Sequence, residues 1–582
     1  MEYDCTIRIA GEAGQGIQTI GMSFCRIIKD CGWGLLANQD YMSRVRGGNN
    51  YYQIRLGNPP PVSFRQSIDV LVPLNAESVS LHRSILAPGG KIVIDKKNFN
   101  IIDESPAYLD APLNAIAMDL GGKPHYYGSV ALGILSGMLS MDFDIVERTL
   151  KDAFSSKGRD VEDRNVACAR KGFEIGRDSP VKSPPLSAHK GASRYLLDGN
   201  EAIALGAVYA GCRFYSGYPM TPSTTIMETM AGFSTDLPLV VEQAEDEIAA
   251  INMAIGASYA GVRSMTATSG GGFALMTEGL SLAAMLETPV VIVDGQRPAP
   301  ATGLPTRTEQ ADLDLVLHAG HGEFARAVYT PGNIKEAFEL TVKAFDVSDR
   351  FQVPSVILSD QYLADMVSAV DDLGTKVVRP PRHIISKEES VEITGYRRYE
   401  ITASGVSPRA IPSWISDVIY ADSDEHTEDG HITEDGMIRT AMVDKRFSKK
   451  MELLRREVVD PLPVNIDGAR LVLLGFGSTR GVIEDVCAQD PRKKIGCVHF
   501  SQVWPFPADA LALLLNKAPA ARLVTVENNA GAQLAKLIKR ETLLEIDASI
   551  LKYNGRPFTI EELTGRIEDY WRDHGSQTIQ ER

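Results

Sequence analysis

Closely spaced cysteines are missing from this chain. Its seven cysteines (Cys5, Cys25, Cys31, Cys168, Cys212, Cys487 and Cys497) are scattered through 582 residues without a single C-x-x-C pair. A structural zinc or a four-iron cluster is held by clustered thiolates, so neither is expected here and no metal site is assigned. Cys5, Cys212 and Cys497 fall in strand-like runs, where a thiol packs as a small buried hydrophobe. Also missing is any apolar run near the roughly eighteen residues of a membrane span. Met1-Glu2-Tyr3-Asp4 leads straight into a strand, without the basic and apolar regions of a secretory signal, and the expectation is a cytoplasmic chain. No basic stripe offsets the net charge of −15, which argues against a nucleic-acid partner and against a membrane-surface patch.

With 44% hydrophobic and 23% charged residues the composition is that of an ordinary globular protein, and the length predicts roughly three to four domains. Cys5 to Ala10 reads as a strand, Gly11-Glu12-Ala13-Gly14-Gln15-Gly16 as a glycine turn and Ile17 to Asp30 as a helix. Val70 to Pro73 and Lys91 to Asp95 read as buried parallel strands, and Tyr127 to Ala153 as largely helical. These set a first α/β domain at 1–178. Ser179 to Ser193, rich in Pro, Ser and Lys, is expected as an extended tether. Strand and helix alternate again over 194–370. Residues 371–460 are polar and irregular, with an acidic loop at 422–435, and 461–582 supply three more strand candidates separated by helices. The predicted fold class is α/β, with three doubly wound domains in series.

Several segments carry chemistry. The glycine turn, with Gly11, Gly14 and Gly16, has the order G-x-x-G-x-G and not the G-x-G-x-x-G of dinucleotide sites. Asp40, near the end of a second strand candidate, keeps a ribose-binding acid open. Ser43, Arg44 and Arg46 precede Gly47-Gly48, and two arginines beside such a turn suit phosphates. A βα turn needed only for packing is the plain alternative. Asn200 to Ala210 reads as a helix with Asn200 near its N-cap, and Cys212 to Tyr215 as a buried strand. The stiff turn Ser216-Gly217-Tyr218-Pro219-Met220-Thr221-Pro222-Ser223-Thr224 follows at that strand's carboxyl end, where α/β sheets bind ligands. A turn that merely reverses the chain stays open.

Glu247 shares a helical face with Ala250, Ile251, Ala254 and Ser258, and a carboxylate on an apolar stripe is expensive unless something partners it. The alternative, three acids complementing a helix dipole, fits Glu245 and Asp246 well. Thr268, Ser269 and Gly270 lie where a strand runs into a glycine-rich helix start, so backbone can approach a ligand closely. Arg297 ends the strand Val290 to Val293, where a guanidinium can hold a carboxylate by two hydrogen bonds; Arg307 competes for that role. His426 and His431, among six or more acids, read as a solvated loop or subunit contact and not as a metal site.

The turn at Tyr218-Pro219-Met220-Thr221-Pro222-Ser223-Thr224 resembles the Y-P-[IM]-T-P-S-T signature of the 2-oxoacid:ferredoxin oxidoreductases, which are thiamine diphosphate enzymes. The resemblance implies that Thr221 and Arg297 bind the substrate, that Tyr218, Pro219, Thr268, Ser269 and Gly270 line the thiamine pyrimidine, and that Glu247 hydrogen-bonds the aminopyrimidine ring as the catalytic acid. The first 178 residues resemble the family's gamma subunit, with its G-x-x-G-Q-G opening and S-x-x-R-G-G segment, fused ahead of the alpha subunit. On that resemblance Gly11, Gly14, Gly16, Ser43, Arg44 and Arg46 serve coenzyme A binding or assembly, 194–370 is the pyrimidine-binding domain, and 461–582, with Glu527-Asn528-Asn529, is transketolase C-terminal-like.

The G-D-G motif that carries Mg²⁺ and the diphosphate does not occur here. The resemblance therefore implies a beta subunit holding that site and a [4Fe-4S] cluster, an (αβ)₂ assembly and ferredoxin as acceptor. 2-Oxoglutarate is the leading substrate. Pyruvate or a branched-chain 2-oxoacid, an NAD-dependent oxidoreductase and a non-catalytic scaffold are the alternatives.

Overall fold

The computed structural model describes residues 3–43, 47–102, 105–179, 195–373, 377–490 and 494–574. Arg44, Arg46 and, apart from Ser179, the whole of the expected tether lie outside the described residues. The chain is α/β throughout and divides into two compact units. One comprises 1–197, 366–372 and 559–582, and the other 198–365 and 373–558.

The first unit is built on an eight-stranded sheet in the spatial order Tyr108–Asp110, Leu86–Ile94, Ile68–Pro73, Tyr3–Ala13, Gly47–Asn58, Gly34–Asp40, Val367–Val370, Tyr195–Leu197. The first four of these run parallel; from Tyr3–Ala13 onward every pairing is antiparallel. The strands expected to be parallel, Ile68–Pro73 and Leu86–Ile94, are so, and beyond Tyr3–Ala13 the sheet continues as an antiparallel half. The connection between Gly34–Asp40 and Gly47–Asn58 is too short for the crossover that parallel neighbours need, so the two form a hairpin. Gly34–Asp40 is thereby separated from Tyr3–Ala13 by a strand. Asp40 does not belong to the parallel βαβ unit in which a ribose-binding acid is expected.

The helix Ile17–Asp30 has the bounds expected of it and buries Ile20, Phe24, Ile27 and Ile28. The run from Tyr127 to Ala153 is two helices, Tyr127–Met138 and Phe143–Phe154. The first packs backbone to backbone on Arg159–Arg177. A Cβ at Gly133 would lie 1.9 Å from the carbonyl oxygen of Ala169, and one at Gly176 would lie 2.1 Å from that of Ile134.

Two segments remote in sequence complete this unit. Val367–Val370, read in sequence as the end of the second domain, pairs with Gly34–Asp40. The terminal helix Ile560–His574, read with the third, starts at the 64–67 loop. There the Ile560 N–H donates to the Phe64 carbonyl, and Glu561 accepts from the N–H groups of Gln66 and Ser67.

The second unit contains two sheets. The larger has the order Gln502–Trp504, Ala327–Tyr329, Pro354–Asp360, Val290–Gln296, Ser264–Thr268, Phe214–Gly217, Val240–Gln243, and only its Gln502–Trp504 pairing is antiparallel. The smaller has the order Leu462–Val464, Ile495–Phe500, Leu471–Phe476, Arg522–Glu527, Ala548–Leu551, parallel except at Leu462–Val464. One apolar core draws on both, joining Ile292, Val356 and Phe273 with Val472, Phe476 and Leu534.

The stretch expected to be irregular, 371–460, is pinned down by buried charge. Glu287, fully buried, pairs with the Nζ atoms of Lys445 at 2.6 Å and Lys450 at 2.5 Å. Asp349 takes Arg263 and Arg409. His426 is likewise buried against Tyr399, with ring centroids 4.0 Å apart, and Glu425 binds Arg446 and Arg439. This part of the acidic loop is packed, which corrects the reading of it as solvated.

Candidate functional site

In the seven-stranded sheet the chain leaves Phe214–Gly217 to form Val240–Gln243 on one side and then Ser264–Thr268 on the other. A crevice opens beyond the carboxyl ends of parallel strands where the order reverses in this way. The segments after Phe214–Gly217, Val240–Gln243, Ser264–Thr268 and Val290–Gln296 carry Thr221, Glu247, Ser269 and Arg297 respectively.

The turn after Phe214–Gly217 is held at several points. Asn200 lies in the first turn of its helix, near the N-cap as expected. The cap itself is Asp198, in a reciprocal capping box with Glu201, and the Asn200 amide donates to the Pro222 carbonyl at 2.8 Å and to Thr225 Oγ1 at 2.5 Å. The Ser216 hydroxyl donates to the Ala250 carbonyl at 2.6 Å, and Ser223 donates to the Thr268 carbonyl. Gly295 admits this turn, since a Cβ there would lie 2.7 Å from Ser223 Oγ. Arg297 Nη1 donates to the Thr221 carbonyl at 2.7 Å, so the structure brings these two residues together. Thr221 and Pro219 are half-buried and Tyr218 is exposed.

Glu247 opens the helix Glu247–Tyr259, which Asp246 caps through the Ala249 N–H at 2.7 Å. Its side chain is buried, and Oε1 has no hydrogen-bond partner. Gly272 makes room for it. A Cβ at that position would stand 2.0 Å from Thr268 Oγ1 and 2.5 Å from Glu247 Oε1. Glu247, Thr268 and Gly272 therefore form one cradle, with the Ser269 hydroxyl beside it, buried and also unpartnered. Buried polar groups without partners are rare in folded proteins, and a bound polar ligand is one way to complete them. Arg307 is buried as well, against Gly555 in a loop of the smaller sheet, where a Cβ would approach Arg307 Cβ at 3.2 Å.

Two acids in this region were missed from the sequence. Asp294 is fully buried, with both carboxylate oxygens unpartnered. Asp312 lies against Gly270, where a Cβ would sit 2.4 Å from Oδ2. Burial, with Glu309 nearby, lifts Asp312 to about 6 against the opposing pull of Arg297. An acid inside the apolar run Val290-Val291-Ile292-Val293-Asp294 was the available signal for the first. Nothing in the sequence marked Asp312.

In the first unit Gly14 and Gly16 have φ of 92° and 74°, as their place in the glycine turn requires. Gln15 closes the turn: its Oε1 accepts from the Glu12 N–H at 2.7 Å and its Nε2 donates to the Leu74 carbonyl at 3.3 Å. A Cβ at Gly11 would meet that Oε1 at 2.5 Å. Ser43 is exposed. Behind the turn, Arg8 is buried with its guanidinium on Gln53 and 3.1 Å from His82 Nδ1.

The matches to known proteins agree with this geometry. Residues 205–445 match a family model described as pyruvate flavodoxin/ferredoxin oxidoreductase, thiamine diphosphate-binding, and residues 6–175 match one described as pyruvate ferredoxin/flavodoxin oxidoreductase. The class is thus that of α/β oxidoreductase chains, with one region that matches a thiamine diphosphate-binding family model. Over 614 residues the chain is 32% identical to a 2-oxoacid:ferredoxin oxidoreductase alpha subunit of a Sulfolobus species, covering 95% of each chain. It is 28% identical to the 2-oxoglutarate oxidoreductase subunit KorA of Mycobacterium tuberculosis, covering 97% of this chain and 93% of that one.

Among solved structures, the 2-oxoglutarate:ferredoxin oxidoreductase of Magnetococcus marinus, with 2-oxoglutarate, coenzyme A and succinyl-CoA bound, matches with a TM-score of 0.89. It is 29% identical over 97% of this chain and 99% of that one. The chain belongs to the 2-oxoacid:ferredoxin oxidoreductase family and aligns with its alpha subunits. Among the described residues no helix is long and apolar enough to cross a membrane.

Proposed function

We propose that the chain is the gamma-fused alpha subunit of a thiamine diphosphate-dependent enzyme that converts 2-oxoglutarate, coenzyme A and oxidised ferredoxin to succinyl-CoA, CO₂ and reduced ferredoxin. The observation that carries this reading is the Glu247 carboxylate, buried in the cradle of Thr268 and Gly272 with Oε1 unpartnered. A carboxyl group left without a partner in so apolar a setting is costly unless a ligand completes it. Thiamine diphosphate, when bound, supplies the carbanion chemistry that releases CO₂ from a 2-oxoacid. Glu247 would hold a proton at Oε1 toward the pyrimidine, with Ser269, Gly270, Tyr218 and Pro219 lining it. Thr221 and Arg297, already joined at the turn, would orient the substrate carboxylate.

A partner is called for by the outer face of the Glu247–Tyr259 helix, where Ile248 and Met253 are exposed beside an open Gly256. In this reading a beta subunit covers that face and brings Mg²⁺, the diphosphate site and a [4Fe-4S] cluster, in an (αβ)₂ enzyme. Coenzyme A and 2-oxoglutarate are chosen because the Magnetococcus enzyme carries both and the mycobacterial relative is named for the latter. The test is viologen reduction by the chain co-expressed with its beta subunit. Coenzyme A-dependent reduction with 2-oxoglutarate is expected. Reduction with pyruvate alone would overturn the substrate, and reduction with neither would overturn the function.

A further inference from the structure

Three consecutive carbonyls on the turn that carries Thr221 are answered by three different donors. The Ser223 N–H donates to that of Met220 at 2.8 Å, within the turn. Arg297 Nη1 donates to that of Thr221 at 2.7 Å, and Asn200 Nδ2 to that of Pro222 at 2.8 Å, both from outside it. Pro219 and Pro222 carry no N–H, so the turn is short of its own donors and imports them. Arg297 has a part in the proposed reaction. Asn200 has none so far.

The Asn200 side chain is buried, and besides Pro222 it reaches Thr225 Oγ1 at 2.5 Å, in the first turn of the helix Thr224–Phe233. One amide thus ties the start of the helix Gly199–Tyr209 to the end of the turn and to the start of the helix that follows it. The base from which it acts is fixed. Asp198 and Glu201 close the capping box around it, and a Cβ at Gly199 would stand 2.2 Å from the Leu363 carbonyl oxygen, so the backbone beside Asn200 lies tight against Gln361–Asp365. Pro222 is itself buried, and a carbonyl closed off from water is costly to leave without its donor.

We propose that Asn200 is a positioning residue for the 2-oxoacid. It acts without touching substrate: through Pro222 and Thr225 it holds the turn at the place from which Thr221 meets the ligand, and keeps it there when Arg297 engages the substrate carboxylate. The inference rests on the reading of Thr221 as a substrate residue.

The test uses the complex with its beta subunit and compares wild type with Asn200→Ala, with Asn200→Ser taking its place should the first variant not fold. Glu201→Ala is the matched control, because it removes half of the capping box from the same helix and leaves the Asn200 amide where it is. The first readout is hydrogen exchange by mass spectrometry over residues 216–226, which needs no turnover. Exchange there should quicken about tenfold in the Asn200 variant and stay at the wild-type rate in the control. The second is the KM for 2-oxoglutarate, expected to rise about tenfold in the Asn200 variant with kcat within about twofold, and to hold in the control even where its melting temperature falls as far.

Wild-type exchange in the Asn200 variant overturns the proposal. Faster exchange with an unchanged KM overturns the positioning role, and an equal rise of KM in the control reduces Asn200 to a residue that stabilises its helix. Absence of turnover in wild type counts against the functional reading, while the exchange result still decides whether Asn200 holds the turn.

Discussion

The crevice of the second unit and the glycine turn of the first are both glycine-lined and both stand where a parallel strand passes into a helix, but they spend their polar groups differently. At the turn, Gln15 binds Glu12 and Leu74, and Arg8 runs through Gln53 and His82 to Asn49, so the protein answers its own donors and acceptors. At the crevice, Glu247 Oε1, Ser269 Oγ and both oxygens of Asp294 are buried and unanswered. A fold satisfies its polar groups unless something else will. The contrast separates a turn whose polar groups are met within the chain from a crevice where those of three buried residues are not.

The largest effect should come from removing the acid at the open site. Glu247→Gln, assayed with the beta subunit by viologen reduction, is expected to lose about 10²–10⁴-fold in kcat, the range typical of a positioned acid or base, with unchanged melting. Retention of full rate would make the cradle structural, like the turn. Next is Gly272→Ala, whose methyl would press on both Thr268 and Glu247. Overpacking of this kind costs about 1–3 kcal/mol, and here activity should fall further than the shift in thermal denaturation alone explains.

Gly11→Ala is the matched change at the closed turn. It crowds Gln15 and Leu74, and the melting temperature should drop while KM for the 2-oxoacid holds. A shift in KM would break the comparison.

The smallest effect is one of pH. His82 accepts from Arg8 at Nδ1, so Nε2 carries the proton it donates to Asn49, and the ring is neutral. Burial, and then Arg8, push it from 6.5 down to about 4. The unfolded chain therefore takes up a proton from pH 6.5 downward while the folded one resists until about 4, so this histidine costs stability as pH falls through that window. In His82→Gln the melting temperature should fall less steeply between those pH values than in wild type; parallel curves would refute the assignment.

Local patterns carried much of this into view from the sequence alone. Ile17–Asp30 was legible because its apolar period and flanking glycines agree, and the burial of Glu247 because Ala250, Ile251 and Ala254 share its face. What escaped notice depends on partners far away in the chain. Asn200 is legible as a residue near the cap, but nothing local shows that its amide holds Pro222. Asp312 is an ordinary loop acid until Gly270 closes on it. The antiparallel half of the first sheet was invisible for the same reason, since Val367–Val370 has no local feature naming Gly34–Asp40 as its neighbour.

That the first unit is assembled from the beginning, the middle and the end of the sequence has a consequence for its manufacture. Glu561 anchors the terminal helix to Gln66, 495 residues upstream. At a translation rate of roughly 5–20 residues per second that gap is about 25–100 s, during which the earliest strands have left the ribosome without their closing helix. The helix at 560–574 leaves the ribosome long after the strands it completes, so a chain stopped short anywhere before residue 560 leaves its oldest part unfinished.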